Sequence, residues 1–281
     1  MGGAMTHPQS PITNTRRPIP YLKWVFGIMV LAAIVGADVL TAERTPLMQD
    51  KTWPEVQKRG AIYFGLDAGF LPFAGIDAAG EFTGIDVELA RELAKRMGLP
   101  TKFVQIGADR LYDTLLAKQC DALISALTPE ASRLNHFAYS EPYFDAGLVL
   151  VVPAASASKL DDLGGRTLAV EVGSEGDARA RWLARRTIGL RVLERDTPDK
   201  VMQAVEAGLA DAALTDTATA RQSVVARPTL RLGPRQTSSP YVIAVRNDSP
   251  DLLRALDRVL AQVKSDGTLD SLLARWLDKP S

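Results

Sequence analysis

Arg133 stands five residues after Thr128, just past the run Cys120-Asp121-Ala122-Leu123-Ile124-Ser125-Ala126-Leu127-Thr128, which reads as a buried strand delivering polar residues at its end. A guanidinium is a planar fork that holds a carboxylate through two parallel hydrogen bonds, and a threonine hydroxyl can donate beside it. Gly173-Ser174 fall between an apolar run (168–172) and a helical stretch from Asp177, so their backbone N–H groups can add to an anion site. Asp216 follows Asp211 by five residues at the end of another apolar run and offers an anion to an ammonium group. Together these groups have the recognition chemistry of a small zwitterion. Taken singly they have plainer readings, Arg133 as a surface arginine and Asp216 as a helix cap before residues 217–220.

The elements that must position these groups are legible in the patterning. Gly84-Ile85-Asp86-Val87-Glu88-Leu89 opens a helix: Ile85, Leu89 and Leu93 make an apolar stripe at helical spacing, and Asp86 and Glu88 put acids in the first turn, where the helix dipole favours them. Ile62-Tyr63-Phe64-Gly65-Leu66-Asp67 followed by Phe70-Leu71-Pro72-Phe73 reads as a strand and then a loop. Helical stretches at 87–97, 111–118, 177–186, 200–207 and 252–264 alternate with short apolar runs at 62–66, 122–124, 148–152, 168–170, 212–214 and 242–245, which predicts an α/β architecture. Residues 116–125 and 206–215 echo each other, each a helix end, an Asp-Ala pair and a strand ending in a hydroxyl residue. They read as equivalent units of two similar lobes. Ligands in open α/β sheets collect beyond the carboxyl ends of strands, so Thr128 and Asp216 should face a shared crevice.

The Gly84 segment, with Leu93-Ala94 and Met97, resembles the signature of the family 3 solute-binding proteins, periplasmic receptors that hand amino acids to ABC importers. Tyr139-Ser140-Glu141-Pro142-Tyr143 resembles the family's segment leading toward the second lobe, and Lys264-Ser265-Asp266-Gly267-Thr268-Leu269, ending at Trp276, its C-terminal helix. The likeness runs from about Trp53 to Leu277. It implies a two-lobed α/β periplasmic-binding-protein fold of type II with a two-segment hinge. It places lobe 1 at 54–145 and 245–281, lobe 2 at 146–244, and a linker at 38–53. Phe70 takes the position of an aromatic that stacks on the ligand, Thr128 and Arg133 the pair that grips its carboxylate, and Asp216 an aspartate that binds its ammonium. Ser125 and Ala126 line the same strand end, and closure of the hinge sequesters the ligand. The partners implied are an amino acid and the membrane subunits of an ABC importer, with the receptor a monomer; no cofactor, metal or catalytic residue is expected.

Three positions bear on the ligand's side chain. Glu175 follows Gly173-Ser174 where the family carries a small hydroxyl residue, and Glu171 precedes them where an apolar residue is common; with Asp67 they give three carboxylates around that end of the site. Buried acids are costly unless paired, so either they face water or they face a cation. The second case implies a basic ligand such as arginine, lysine, ornithine or histidine; in the first, Glu175 caps the following helix and Glu171 points away. Ala126 stands where glycine is usual and adds a methyl near the ligand main chain.

The remainder of the chain bounds this reading. Of its 281 residues 33 are basic and 33 acidic, and this balance without a basic patch argues against nucleic acid. The first acid is Asp38, while Arg16, Arg17 and Lys23 precede an uncharged run, 24–37, the layout of a signal peptide. As a helix that run spans roughly 21 Å, short of the roughly 30 Å hydrocarbon core. Val35-Gly36-Ala37 offers a cleavage site before Asp38; the competing reading is an uncleaved anchor reaching Leu40. Both place the folded part outside the cytoplasm, in the periplasm, with membrane contact only through that segment. The single cysteine, Cys120, has no disulfide partner and reads as a small buried hydrophobe, and His7 and His136 make no metal site. Two other functions stand beside the receptor. Some proteins that resemble the family are periplasmic cyclohexadienyl dehydratases, in which Glu171 or Glu175 would be the acid and Arg133 a substrate clamp. An anchored module would bind the same ligand in order to signal.

Overall fold

Short runs rich in β-branched and aromatic residues suit sheet positions, and the computed structural model, which describes residues 50–155 and 163–278, has thirteen strands, the central ones built from such runs. In chain order these are β1 (Ile62–Leu66), β2 (Gly75–Ile76), β3 (Phe82–Thr83), β4 (Thr101–Gln105), β5 (Ala122–Leu127), β6 (Phe137–Tyr139), β7 (Phe144–Asp145), β8 (Leu148–Pro153), β9 (Thr167–Glu171), β10 (Arg191–Arg195), β11 (Ala212–Asp216), β12 (Leu230–Arg235) and β13 (Pro240–Arg246). The helices are α1 (Thr52–Arg59), α2 (Ile85–Arg96), α3 (Leu111–Leu116), α4 (Glu175–Ala184), α5 (Pro198–Glu206), α6 (Thr217–Ala226), α7 (Pro250–Ser265) and α8 (Thr268–Leu277). The expected signal or anchor segment, its cleavage before Asp38 and the linker as far as residue 49 lie outside the described residues.

Two sheets share one topology. The first runs β4-β1-β5-β13-β6, with β7 also on β13, and the second β10-β9-β11-β8-β12. In each, three parallel strands are followed by strands paired antiparallel. The echo between 116–125 and 206–215 is structural: Lys118 and Gly208 both take left-handed backbone, at φ 59 and φ 70. Asp121 and Asp211 then do the same work, each accepting the backbone N–H of the neighbouring parallel strand at 2.8 Å, from Tyr63 and Thr167. Each also pairs with an arginine, Arg59 in the first sheet and Arg166 in the second.

Helices cover both faces of each sheet. The stripe Ile85, Leu89 and Leu93 is fully buried with Leu252, Leu256 and Leu260 of α7 on one face of the first sheet, each such side chain contributing about 1.5–3 kcal/mol. Leu111 and Leu115 of α3 pack on the other face with Cys120, whose thiol is pushed up to about 12, chiefly by burial. In the second sheet α4 covers one face and α5 the other. Asp50 holds two helix starts together: one carboxylate oxygen accepts the N–H groups of Thr52 and Trp53, and the other those of Asp251 and Leu252.

The second lobe is a continuous insertion between β7 and β13. Residues 240–244, expected in lobe 2, belong to β13 and hence to the first sheet, so the return crossing falls before Pro240. An apolar run marks a strand without saying which sheet it joins, which is why its sequence could not place it. The two crossings touch. Ala146 N–H donates to Ser239 O at 2.9 Å, and a Cβ at Gly147 would lie 2.1 Å from Thr237 O, so only glycine permits the approach.

Candidate functional site

The lobe 1 half of the site is built on a distortion of β5. The pairing of β5 with β13 shifts register between Val242 and Ala244, and Ala126 lies in that bulge with φ 48. Bulges beside functional sites re-aim side chains. Here the Ala126 N–H, turned away from β13, donates to Asp86 Oδ2 at 2.7 Å. Asp86 is fully buried, and its Oδ1 accepts the Tyr143 hydroxyl at 2.7 Å. Burial pushes the Asp86 carboxyl up to about 6, against the opposing effect of its hydrogen bonds from Tyr143 and Ala126. Next to the bulge, Ser125 Oγ accepts the Asp67 N–H at 3.0 Å, joining the carboxyl ends of β1 and β5.

Phe70 closes a tight turn with Ala74, is 52% exposed, and stacks on the buried Phe73 with ring centroids 5.7 Å apart. Thus the aromatic expected to meet a ligand faces solvent on a supported loop. Thr128 is exposed one residue beyond β5. Arg133 lies over the Tyr112 ring, 4.1 Å from its centroid, with Nε on Glu130 Oε2 at 2.7 Å. The side chain is oriented at its base, with its terminal nitrogens unengaged among the described residues.

In lobe 2 the turn after β9 differs from expectation. Gly173 N–H donates to Asp177 Oδ2, Ser174 N–H to Glu171 O, and Ser174 Oγ accepts Asp177 N–H. The Gly173-Ser174 donors are therefore engaged within the turn itself: Ser174 caps α4 through Asp177 N–H, and the Asp177 carboxylate reaches back to the residue before the cap. The open N–H groups are those of the first α4 residues, Glu175 and Gly176, as at any helix start. Gly176 lets α4 sit against β11, since a Cβ there would lie 2.4 Å from Leu214 O. Two residues beyond Leu214, Asp216 caps α6 through Oδ1 and Thr219 N–H at 2.9 Å. Its plainer reading is thus real, and its second oxygen, Oδ2, meets the Thr215 hydroxyl at 3.5 Å, a long contact that leaves lone pairs on the carboxylate.

The strand registers relate the acids. Phe64 pairs with Ala122 and Leu168 with Ala212, and Ala122 and Ala212 are equivalent in the echo. Asp67, three residues beyond Phe64, and Glu171, three beyond Leu168, are therefore counterparts in the two lobes. Likewise Ala126 and Asp216 each lie four residues beyond the equivalent alanines. Among the described residues none of Asp67, Glu171, Glu175 and Asp216 has an ion-pair partner.

Tyr241 on β13 brings the two halves into one field. Its phenol is pushed up to about 12, first by burial and then by the negative charges of Asp216, Asp86 and Glu175. Its ring packs edge-on to Phe73 at 5.0 Å, next to Phe70. Sequence reasoning missed Tyr241, Tyr143 and the burial of Asp86; the Tyr143 and Asp86 segments carried a signal only as stretches that resemble the family. A separate groove of about 440 Å³, between α2 and the start of α8, is lined by Glu88, Arg91, Glu92, Lys95 and Asp266 among others and contains none of the expected site residues.

Residues 62–279 match the family described as bacterial extracellular solute-binding proteins, family 3. The L-cystine-binding protein TcyJ of Escherichia coli is 27% identical over 257 residues, 90% of this chain and 94% of the relative. The lysine/arginine/ornithine-binding periplasmic protein of the same organism is 28% identical over 265 residues, 90% of this chain and 96% of the relative. Among solved structures, an ancestral cationic amino acid solute-binding protein, AncCDT-1, aligns with a TM-score of 0.64 at 29% identity, covering 81% of this chain and 100% of that one.

Proposed function

Because this chain belongs to the bacterial extracellular solute-binding proteins, family 3, we propose that it captures a basic L-amino acid between its lobes, outside the cytoplasm, and delivers it to an ABC importer. The observation that carries this reading is the set of four carboxylates at the strand ends and the α4 start, Asp67, Glu171, Glu175 and Asp216, with no ion-pair partner among the described residues. An acidic cleft is stabilised by a ligand that brings positive charge. The Arg133 fork and Thr128 take the ligand carboxylate, Asp216 its α-ammonium, and Phe70 covers its aliphatic stem. Glu175, Glu171 and Asp67 remain for the side-chain cation. The names of the lysine/arginine/ornithine-binding relative and of the ancestral cationic binder support the same class.

Binding joins groups from both lobes, so the ligand favours the closed arrangement of a monomer over the open one. The importer's membrane subunits then recognise that closed surface. The chain binds without converting its ligand: the two carboxyls that could act as an acid both reach solvent, Glu175 exposed and Glu171 half-exposed.

Isothermal titration calorimetry of the protein, freed of carried-over ligand, against the twenty amino acids, ornithine and prephenate tests this. Arginine, lysine or ornithine should bind saturably, weakened about 100-fold by Arg133→Ala and by Asp216→Ala. Glutamine or cystine binding as tightly as arginine would remove the basic-ligand reading, and consumption of prephenate would replace binding with catalysis.

A further inference from the structure

We propose that Asp86 positions the lobe 1 half of the ligand site, holding the bulged end of β5 through Ala126 and tying it through Tyr143 to the first lobe crossing, so that ligand affinity follows the ionisation of this one carboxyl group. The inference rests on the amino-acid-binding reading and assigns a residue that touches no ligand.

Its geometry is specific. Ala126 has left-handed backbone and no partner across β13 for its N–H. The charged Asp86 carboxylate replaces that partner at 2.7 Å, and a carboxylate is a stronger acceptor than its neutral acid. Ser125 and Thr128, on either side of the bulge, inherit their aim from it. The second carboxylate oxygen takes the Tyr143 hydroxyl, and Tyr143 lies two residues before Asp145, where the chain enters the crossing. One side chain therefore contacts both the strand end that meets the ligand and the segment about which the lobes turn.

The groups facing Asp86 are few. Tyr143 approaches from the segment before β7 and Tyr241 from β13; beyond Tyr241 stand Asp216 and Glu175 of lobe 2. Among the described residues Asp86 has no ion pair. The carboxylate is thus held in a fully buried site by two hydrogen bonds, the kind of perturbed group that clusters at functional sites. With burial pushing the carboxyl up to about 6, the group titrates in a range where binding is easily measured. A bound ligand's positive charge favours the ionised form. Affinity should accordingly fall as the pH drops through that range.

The test is the affinity of the full protein for arginine at pH 7.5 and pH 5.0, for the wild type, Asp86→Asn and Tyr143→Phe. The wild type should bind about tenfold more weakly at pH 5.0, one unit below the titration. Asp86→Asn, close to isosteric, should bind about tenfold more weakly at pH 7.5 and no more weakly still at pH 5.0. Tyr143→Phe removes a hydrogen bond that favours the charged form, so the midpoint of its affinity profile should move to higher pH, which keeps the inference testable if Asp86→Asn does not fold. Equal wild-type affinities at the two pH values, or the wild-type slope retained in Asp86→Asn, would overturn the positioning role. Failure of the wild type to bind any amino acid at pH 7.5 would overturn the receptor reading, and this inference with it.

Discussion

Asp145 Oδ1 accepts the backbone N–H of Ser239 at 2.8 Å, so one carboxylate ties the outgoing lobe crossing to the returning one. It also takes the Gly147 N–H and the Ser238 hydroxyl, with Arg235 at 3.1 Å. Burial alone would raise its pKa, but the hydrogen bonds from Ser239, Gly147 and Ser238 and the charge of Arg235 hold it below the usual carboxylate range. Its contribution is therefore complete above the unfolded pKa and lost as pH falls through the lower folded value. Asp145→Ala should cost about 2 kcal/mol from the lost hydrogen bonds and broaden the ligand-free distribution of lobe separations in small-angle scattering. An unchanged denaturation midpoint and scattering profile would show that Gly147 and the backbone bonds suffice.

Ala126→Gly should stabilise the protein by about 1 kcal/mol, because an L-residue in left-handed backbone carries strain that glycine lacks, partly offset by glycine's greater unfolded-state freedom. Urea denaturation reads this directly. A loss of stability would mean that packing of the Ala126 methyl outweighs the strain.

Glu175→Gln and Glu171→Gln should each weaken arginine binding by about tenfold and leave glutamine binding unchanged. Competition calorimetry against both ligands separates the cases. Equal weakening for both would place the glutamates outside the side-chain end of the site.

Asp86 should carry a stability cost at neutral pH. A carboxyl whose folded pKa is raised to about 6 binds its proton more tightly in the folded state. The stability gained from that proton is complete below the unfolded pKa and is lost as pH rises through about 6. Asp86→Asn should thus be more stable than the wild type at pH 7.5 by on the order of 3 kcal/mol, with the difference shrinking toward pH 4. Denaturant titrations at the two pH values check the sign; a variant less stable than the wild type at pH 7.5 would reverse it.

Asp50→Ala should destabilise lobe 1 by about 2 kcal/mol, the scale of a lost helix cap, since two helix starts lose their acceptor together. Hydrogen exchange would localise the loss to the first turns of α1 and α7. Protection unchanged at Thr52 and Leu252 would mean that other acceptors replace Asp50.

The sequence was most legible where burial is one-sided or complete. The run 62–66 coincides with β1, and the stripe Ile85, Leu89 and Leu93 lies fully buried on α2. Strands β4, β10 and β12 escaped because they are sheet edges, half-exposed and charged, with no continuous apolar run. In the site, the types and spacing of Arg133, Asp216 and Glu175 pointed to chemistry, but Asp86 read as an acid in a favourable first turn and as part of a segment resembling the family, with no role in the site. Its partners are 40 and 57 residues away, and no local pattern encodes that meeting. The helix cap of Ser174 on Asp177 was local, and its spacing was there to be read.

The late position of β13 in the chain sets an order of assembly. All five strands of the second sheet are complete by Arg235, whereas the first sheet lacks the strand between β5 and β6 until Pro240–Arg246 has been made. During synthesis from the N-terminus, the inserted lobe can finish folding while the lobe that encloses it still exposes unpaired strand edges. Such edges are where chains associate wrongly. The final stretch, β13 with α7 and α8, both fills the gap and covers the Ile85, Leu89 and Leu93 stripe. A chain cut before Pro240 would thus keep a foldable lobe 2 beside an adhesive, unfinished lobe 1.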